Sequence, residues 1–270
     1  MTSATTPDTP GDLLDVAVRH AQRAADLLVE GLSRRRTMVR SKSSLTDMVT
    51  EMDQAAERQI VEGILGERPD DAVLGEEGAR RDGTSGVRWI IDPLDGTTNY
   101  LYGHPGFAVS IAAELDGEIV AGVVSDPLHG EVFTAVRGGG ARRNGLPIAA
   151  STETDPRRAL LATGFGYDPR RRVRQAEVLV EVLGLVRDIR RMGAASVDLC
   201  SVACGRVDGY WEAGLQPWDY AAGALIAREA GAVVGGLDGG PPSSTFILAA
   251  PPALYGPLRE LLARARAADV

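Results

Sequence analysis

Little in this chain suits a membrane, a disulfide scaffold or a nucleic acid. No apolar stretch approaches the roughly 18 residues that a membrane-crossing helix needs. The chain's 2 cysteines, Cys200 and Cys204, stand four apart in an apolar helical pattern with no His or further Cys beside them. That spacing makes a poor zinc site and leaves buried packing as their role. Residues 1–10 are rich in Thr and Pro and charged only at Asp8, so they lack the basic and apolar regions of a signal peptide. They are expected to be a disordered tail, and the protein to be cytoplasmic. Positive charge is in deficit as well: Lys and Arg total 29 against 37 Asp and Glu, a formal net charge of -8. A nucleic-acid partner usually needs a basic face, so none is expected, nor is a membrane. The short clusters Arg34-Arg35-Arg36 and Arg170-Arg171-Arg172 read as solvated helix ends. What remains is ordinary for a soluble protein: 270 residues, 44% hydrophobic and 24% charged, enough to bury the core of one large domain or two fused lobes.

The most informative segment is Trp89-Ile90-Ile91-Asp92-Pro93-Leu94-Asp95-Gly96-Thr97-Thr98. An apolar run reads as a buried strand, and Pro93, with φ fixed near −65°, is expected to force the chain out of it. At the exit, the carboxylates of Asp92 and Asp95 and the carbonyl of Leu94 can converge on one point. Hard oxygen ligands of this kind suit Mg²⁺. The small residues that follow leave backbone N–H groups uncovered, which can hold a phosphate if a helix begins there. Metal beside phosphate suggests phosphoryl chemistry. The same residues also make an ordinary solvated turn. Two further acidic features bear on the choice. Gly75-Glu76-Glu77-Gly78 follows the short apolar run 71–74, and Trp218-Asp219-Tyr220-Ala221-Ala222-Gly223 opens a small-residue helix. Taken singly, a Glu pair is a solvated loop and an Asp at a helix start is a cap.

Residues 11–32 read as an amphipathic helix with Leu14, Ala17, Val18, Ala21, Ala25 and Leu28 on one face. A basic turn and a polar segment lead to a second helix over 54–65, with Asp53 at its cap position. Residues 78–88 read as a Gly/Arg-rich mobile loop. Strands are expected over 107–115, 118–125 and 131–136, the first two joined by the hairpin signal Asp116-Gly117. This makes an α+β lobe over 11–150 that carries most of the acids. Beyond it, strands over 160–163, 188–191 and 246–250 alternate with helices over 172–185, 195–204, 220–230 and 254–265, giving an α/β lobe over 151–270.

Four blocks together resemble the inositol monophosphatase family of Mg²⁺-dependent, lithium-sensitive phosphatases. They are Lys42-Ser43-Ser44-Leu45-Thr46-Asp47-Met48-Val49-Thr50-Glu51-Met52-Asp53, Gly75-Glu76-Glu77, Asp92 to Thr98, and Trp218 to Gly223. They stand in family order at family-like spacing, and the resemblance covers nearly the whole chain from about residue 12. It implies a layered αβαβα sandwich of the sugar-phosphatase type, two fused lobes with the site between them. It also implies two or three Mg²⁺ ions, inhibition by lithium, and a homodimer.

By the same resemblance, Glu76, Asp92 and the Leu94 carbonyl would hold one metal, with Asp92 bridging to a second held by Asp95 and Asp219. Glu77 would contribute through water or a weaker third ion. Glu76, Thr97 and Asp53 would act on the attacking water, and the N–H groups of Gly96 and Thr97 would hold the phosphate. Asp95, Gly193, Ala194, Ala195, Glu212 and Asp219 would contact the substrate. Relatives often carry Ile where Leu94 stands, which leaves a backbone ligand unchanged. They often carry Ser or Thr where Ala194 stands, which loses a hydroxyl near the sugar. The implied activity is hydrolysis of inositol 1-phosphate, with histidinol phosphate or another polyol phosphate as alternatives. A bisphosphate is not expected, because no basic cluster stands next to Glu212 in the sequence. A purely binding relative would be expected to have lost a ligand, yet Asp53, Glu76, Asp92, Asp95, Thr97 and Asp219 are all present.

Overall fold

The structure, a computed structural model, describes residues 9–34, 39–41 and 48–270. Residues 1–8 of the expected tail and 42–47 of the first sequence block lie outside the described residues. Helix α1 (Pro10–Gly31) starts where Thr9 and Asp12 cap each other. The Asp12 N–H donates to Thr9 Oγ1 at 3.2 Å and the Thr9 N–H to Asp12 Oδ2 at 3.0 Å, while Pro10 fills the first turn, where no N–H is needed. A small hairpin, β1 (Val39–Ser41) and β2 (Met48–Thr50), leads directly into α2 (Glu51–Glu67). That helix begins earlier than the sequence pattern suggests, so Asp53 lies inside its first turn and not at the cap.

An eight-stranded sheet follows. Its strands are β3 (Ala72–Gly75), β4 (Arg80–Arg81), β5 (Val87–Asp95), β6 (Ala108–Leu115), β7 (Glu118–Asp126), β8 (Glu131–Val136), β9 (Ala141–Arg143) and β10 (Leu146–Pro147), with a short helix α3 (Thr97–Tyr102) after β5. They lie in the order β10-β9-β8-β7-β6-β5-β3-β4, and β3 and β5 run parallel while the other neighbours are antiparallel. Part of the expected loop over 78–88 is thus the edge strand β4.

The second half alternates β11 (Leu160–Thr163), α4 (Pro169–Leu183), β12 (Asp188–Arg190), α5 (Ala195–Ala203), β13 (Gly209–Glu212), α6 (Pro217–Glu229), β14 (Val233–Gly235), β15 (Ile247–Ala250) and α7 (Pro252–Arg264). Its five strands order as β12-β11-β13-β15-β14.

Alternation along the strands explains the layering. In the large sheet Trp89, Ile91, Val109, Ile111 and Val123 pack with Leu13, Leu28 and Ile60 of α1 and α2. Ile90, Ala108, Ala112 and Val124 face the other way, onto Leu199, Ala222 and Ile226 of α5 and α6. In the small sheet Ile247 and Ala249 join that same central layer, whereas Leu248 and Ala250 pack with Val178 of α4 and Leu258 of α7. The result is five layers, αβαβα, with α5 and α6 shared between the two sheets. Among the described residues no helix is long and apolar enough to cross a membrane.

The shared helix approaches β7 closely at one glycine. A Cβ on Gly122 would lie 3.0 Å from the Ala222 Cα and 3.2 Å from its carbonyl oxygen, so α6 would have to retreat. Gly122→Val is expected to cost about 1–3 kcal/mol as an overpacking change. Gly66→Ala, where a new Cβ on α2 meets nothing within 4 Å, is expected to stabilise by roughly 0.5–1 kcal/mol. Urea denaturation of the two variants checks both signs; equal midpoints would contradict the close approach.

Candidate active site

Asp92 and Asp95 are three residues apart, so on a regular strand their side chains would point to opposite faces. A bulge prevents this. Asp92 pairs with Ser110 and Asp95 with Ala108, three steps along β5 against two along β6. Both acids therefore share the face of Ile90, toward the central helices, while Leu94 turns into the opposite core. Pro93 does not end the strand as the sequence suggested. It sits inside the bulge, where no ladder N–H is required, and β5 continues to Asp95. The Leu94 N–H donates to Asp92 Oδ1 at 3.0 Å, fixing the carboxylate beside the bulge.

Glu76 extends the parallel ladder from β3, its N–H donating to the Ile91 carbonyl at 3.1 Å. This sets its side chain next to Asp92, and the two carboxyls share a hydrogen bond. The turn that carries Glu76 and Glu77 is held from below by Glu57 of α2. Its carboxylate accepts from the N–H groups of Glu77 at 2.9 Å and Ala79 at 3.0 Å. A Cβ on Gly75 would overlap that carboxylate. Glu57 was not among the sequence candidates, because a Glu on a helix reads as solvated. The available signal was its place among Met52, Ala56, Ile60 and Ile64, the buried face of α2.

At the end of β5, Gly96 takes φ 90°, a left-handed conformation that turns the chain into α3. A Cβ there would meet the Gly106 carbonyl at 3.0 Å and the Ala194 Cβ at 3.2 Å, so this is also where the two halves touch. Thr97 is buried and its hydroxyl donates to Asp53 Oδ1 at 3.0 Å, across 44 residues of sequence. Asn99 ties the halves further, donating to the Gly106 carbonyl at 2.7 Å and the Met192 carbonyl at 2.8 Å.

The second half supplies the facing wall. Asp219 stands in the first turn of α6 and its carboxylate accepts from the Gln216 N–H at 2.6 Å. Asp95 reaches across to the start of α5, where the Ser196 N–H at 2.7 Å and hydroxyl at 2.5 Å both donate to its Oδ2. Glu212 ends β13, a strand not among those expected from the sequence, and accepts from the Tyr210 hydroxyl at 2.6 Å. Gly164 leaves the space its carboxylate occupies. Glu76, Asp92, Leu94, Asp95, Gly96 and Thr97 line one side of a cavity of about 450 Å³, and Gly193, Ala194, Ala195, Glu212 and Asp219 line the other. Glu77 and Asp53 lie behind the wall. Arg171, read from the sequence as part of a solvated helix end, and Arg191, which the sequence did not point to, line the cavity near Glu212. This corrects the expectation that no basic cluster stands there; the two are twenty positions apart and only the fold joins them.

The electrostatics are those of acids crowded together. Burial pushes the Asp92 carboxyl well above the usual range, and the negative charges of Glu76, Asp95 and Asp219 add to it. Burial raises Asp95 to about 6 against the hydrogen bonds from Ser196, and raises Asp219 with help from Asp95. Burial also lifts Glu212 to about 7, although Tyr210, Arg191 and Arg171 pull it down. Behind them Asp198 of α5 is buried with neither oxygen hydrogen-bonded, and burial pushes its carboxyl well above the usual range.

Glu76, Asp95 and Asp219 crowd their charge around Asp92, and these all-oxygen donors are the kind Mg²⁺ takes. Among the described residues no three His, Cys, Asp or Glu side chains form a ready-made cage. Mg²⁺ does not require one, since it keeps several waters and binds through one or two carboxylates plus substrate phosphate.

Comparison with known proteins agrees with this arrangement. The sequence profile described as the inositol monophosphatase family matches residues 10–268. The chain is 45% identical over 249 residues to the inositol-1-monophosphatase of Mycobacterium bovis, covering 85% of this chain and 86% of that protein. It is 42% identical over 230 residues to the Nus factor SuhB of Pasteurella multocida, covering 84% and 86%. Among solved structures, the extragenic suppressor protein suhB of Bartonella henselae superposes with a TM-score of 0.88 at 39% identity, covering 93% of this chain and 98% of that one.

Removing the Glu57 carboxylate leaves two turn N–H groups without their acceptor. Glu57→Ala is expected to cost about 1–3 kcal/mol, and Glu57→Gln less, because one amide oxygen can still accept. Denaturant midpoints measured without added metal isolate this effect from any on metal binding. Wild-type stability in the Ala variant would remove Glu57 from the support of the Glu76 turn.

Proposed function

Because this chain belongs to the inositol monophosphatase family, we propose that it is a Mg²⁺-dependent phosphomonoesterase that hydrolyses inositol 1-phosphate to inositol and phosphate. The observation that carries this reading is the Thr97–Asp53 hydrogen bond at 3.0 Å beside the crowded acids Glu76, Asp92, Asp95 and Asp219. The Thr97 hydroxyl commits its proton to Asp53, so its oxygen remains an acceptor for the proton of a water. Glu76 accepts that water's second hydrogen bond, which turns a lone pair of the water toward phosphorus.

Glu76, Asp92, Asp95, Asp219 and the Leu94 carbonyl are the groups that would hold Mg²⁺, with Glu77 contributing to a weaker third ion. When bound, Mg²⁺ neutralises phosphate charge, acidifies water and stabilises the departing oxygen. The N–H groups of Gly96 and Thr97 hold the phosphate oxygens. As the new O–P bond forms, the ester P–O bond breaks in line; the attacking water gives up one proton, the departing oxygen takes up one from solvent water, and the alcohol leaves into the half of the cavity lined by the second lobe.

There Glu212 has one oxygen committed to Tyr210 and the other open to ring hydroxyls. A ligand lacking those hydroxyls would leave it unpaired, which makes such a contact selective. Gly193, Ala194 and Ala195 form the rest of the sugar wall together with Asp95 and Asp219. Histidinol phosphate is the second reading. Glu212 could accept its ammonium group, but Arg171 and Arg191 face the same place and oppose a cation, which favours a neutral polyol. Lithium inhibition, a homodimer and a cytoplasmic location belong to the same proposal.

The test is phosphate release from inositol 1-phosphate and histidinol phosphate side by side, with Mg²⁺ and with EDTA. Mg²⁺-dependent release that prefers inositol 1-phosphate is expected. Thr97→Ala should lower kcat by about 10²–10⁴ with little change in Tm. A preference for histidinol phosphate would overturn the substrate, and near-wild-type turnover of Thr97→Ala would overturn the mechanism.

A further inference from the structure

Asp95 is held differently from its neighbours in the acid wall. Asp92 and Asp219 accept one main-chain N–H each, from Leu94 and Gln216. Asp95 instead receives two donors on a single oxygen. The Ser196 N–H at 2.7 Å and the Ser196 hydroxyl at 2.5 Å both reach its Oδ2, from 101 positions along the chain. A carboxylate oxygen offers about two lone-pair sites, so this pair of donors fills Oδ2.

Part of this contact answers a need of α5. The N-cap position of that helix is Ala194, whose side chain makes no capping hydrogen bond. Asp95 takes the place of a cap from the other lobe, and the Ala195 N–H points to the same carboxylate. The Ser196 hydroxyl goes further, since a helix start needs acceptors and this group donates. Its position is fixed from two sides. Ser196 is fully buried. A Cβ on Gly96 would meet the Ala194 Cβ at 3.2 Å, and one on Gly223 of α6 would meet the Ser196 carbonyl at 3.3 Å. The start of α5 is therefore wedged between the turn after β5 and α6.

With Oδ2 filled, Asp95 has Oδ1 left to offer a cation in the cavity. One oxygen suits Mg²⁺, which demands near-octahedral geometry and takes its ligand atoms singly. Ca²⁺ is larger, takes more ligands, and gains from carboxylates that can give it both oxygens. We propose that Ser196 is a positioning residue that sets the choice of metal: by filling Asp95 Oδ2 it confines Asp95 to one-oxygen binding and so disfavours Ca²⁺ relative to Mg²⁺. This rests on the phosphatase reading and names the residue that governs which ion the same site accepts.

Calorimetric titration of the metal-free protein with MgCl₂ and, separately, with CaCl₂ tests it. Ser196→Ala keeps the N–H donor and opens one lone pair of Oδ2; Ala is a good helix former, so the variant is expected to fold. Its Ca²⁺ affinity should rise relative to its Mg²⁺ affinity by about tenfold, the lower end of what outer-shell partners do to a metal ligand. Ser196→Thr, which keeps the hydroxyl, should hold the wild-type ratio. Melting curves without metal check that both variants are folded; where the extra methyl of Thr overpacks the site, the Ala variant decides. The ratio of the two affinities cancels a general loosening of the site, and a hydroxyl of merely structural importance would leave it unmoved. A ratio unchanged in Ser196→Ala, or one shifted toward Mg²⁺, overturns the role of Ser196. Phosphate release from inositol 1-phosphate with Mg²⁺, measured on the same wild-type protein, judges the phosphatase reading separately. Metal binding without phosphate release defeats that reading alone, and the ratio still decides Ser196. Binding of neither ion defeats both.

Discussion

Like charges held together are the constraint around which this molecule is organised. Glu76, Asp92, Asp95 and Asp219 come from β3, both sides of a bulge in β5, and the start of α6. Two unit charges about 5 Å apart in a medium of effective dielectric near 20 repel by roughly 3 kcal/mol. Several such pairs would open a flexible site. The fold resists by tying the acids to backbone donors: Asp92 to the Leu94 N–H, Asp95 to Ser196 and Asp219 to the Gln216 N–H. Glu76 is fixed through its own backbone and through Glu57 beneath the turn. The shared helices α5 and α6 bring the second lobe's share of these anchors to the first lobe's acids, which is why the layered order of the fold and the position of the site are one fact.

The residues bearing charge at the scissile end were legible in the sequence because they sit in short, contiguous blocks whose chemistry shows locally. Asp92, Asp95, Gly96 and Thr97 are neighbours in the chain, and Glu76 and Asp219 stand at element ends that small residues mark. The succession of an α+β and an α/β lobe was legible in the changing strand and helix periods, whereas the layered αβαβα order was implied only by the family resemblance. What failed was local geometry. Pro93 was expected to end β5, yet the bulge absorbs it, and it is this bulge that lets two acids of opposite parity share a face. Asp53 was placed at a helix cap, whereas α2 begins at Glu51 and the Asp53 carboxylate, inside the first turn, accepts from the Thr97 hydroxyl.

The polyol end was legible only in part, and the reason is sequence distance. Glu212 was indicated only by the family resemblance, and its environment is made by Tyr210, Gly164, Arg171 and Arg191, drawn from separate segments. Ser196 and Glu57 were invisible for a different reason: a Ser at a helix start and a Glu on a helix are so often caps or solvated groups that neither signals contact with a distant turn. Each acts on a backbone or carboxylate far along the chain.

The two ends of the cavity differ in how they are built, and this bears on how such a site can vary. The acid end rests on a nine-residue strand and on helix starts buried between two sheets, where a shift of one residue would reverse the facing of every side chain. The polyol end rests on glycines at 164, 193 and 214 and on side chains that reach in from a helix start and a connecting segment. Changing Ala194, Arg171 or Arg191 alters what the cavity recognises without moving Asp92 or Thr97. Ala194 illustrates this, since its methyl group packs against Gly96 while offering the cavity no hydroxyl. A family that keeps one phosphate-cleaving end can therefore change its choice of alcohol through a few positions at the other.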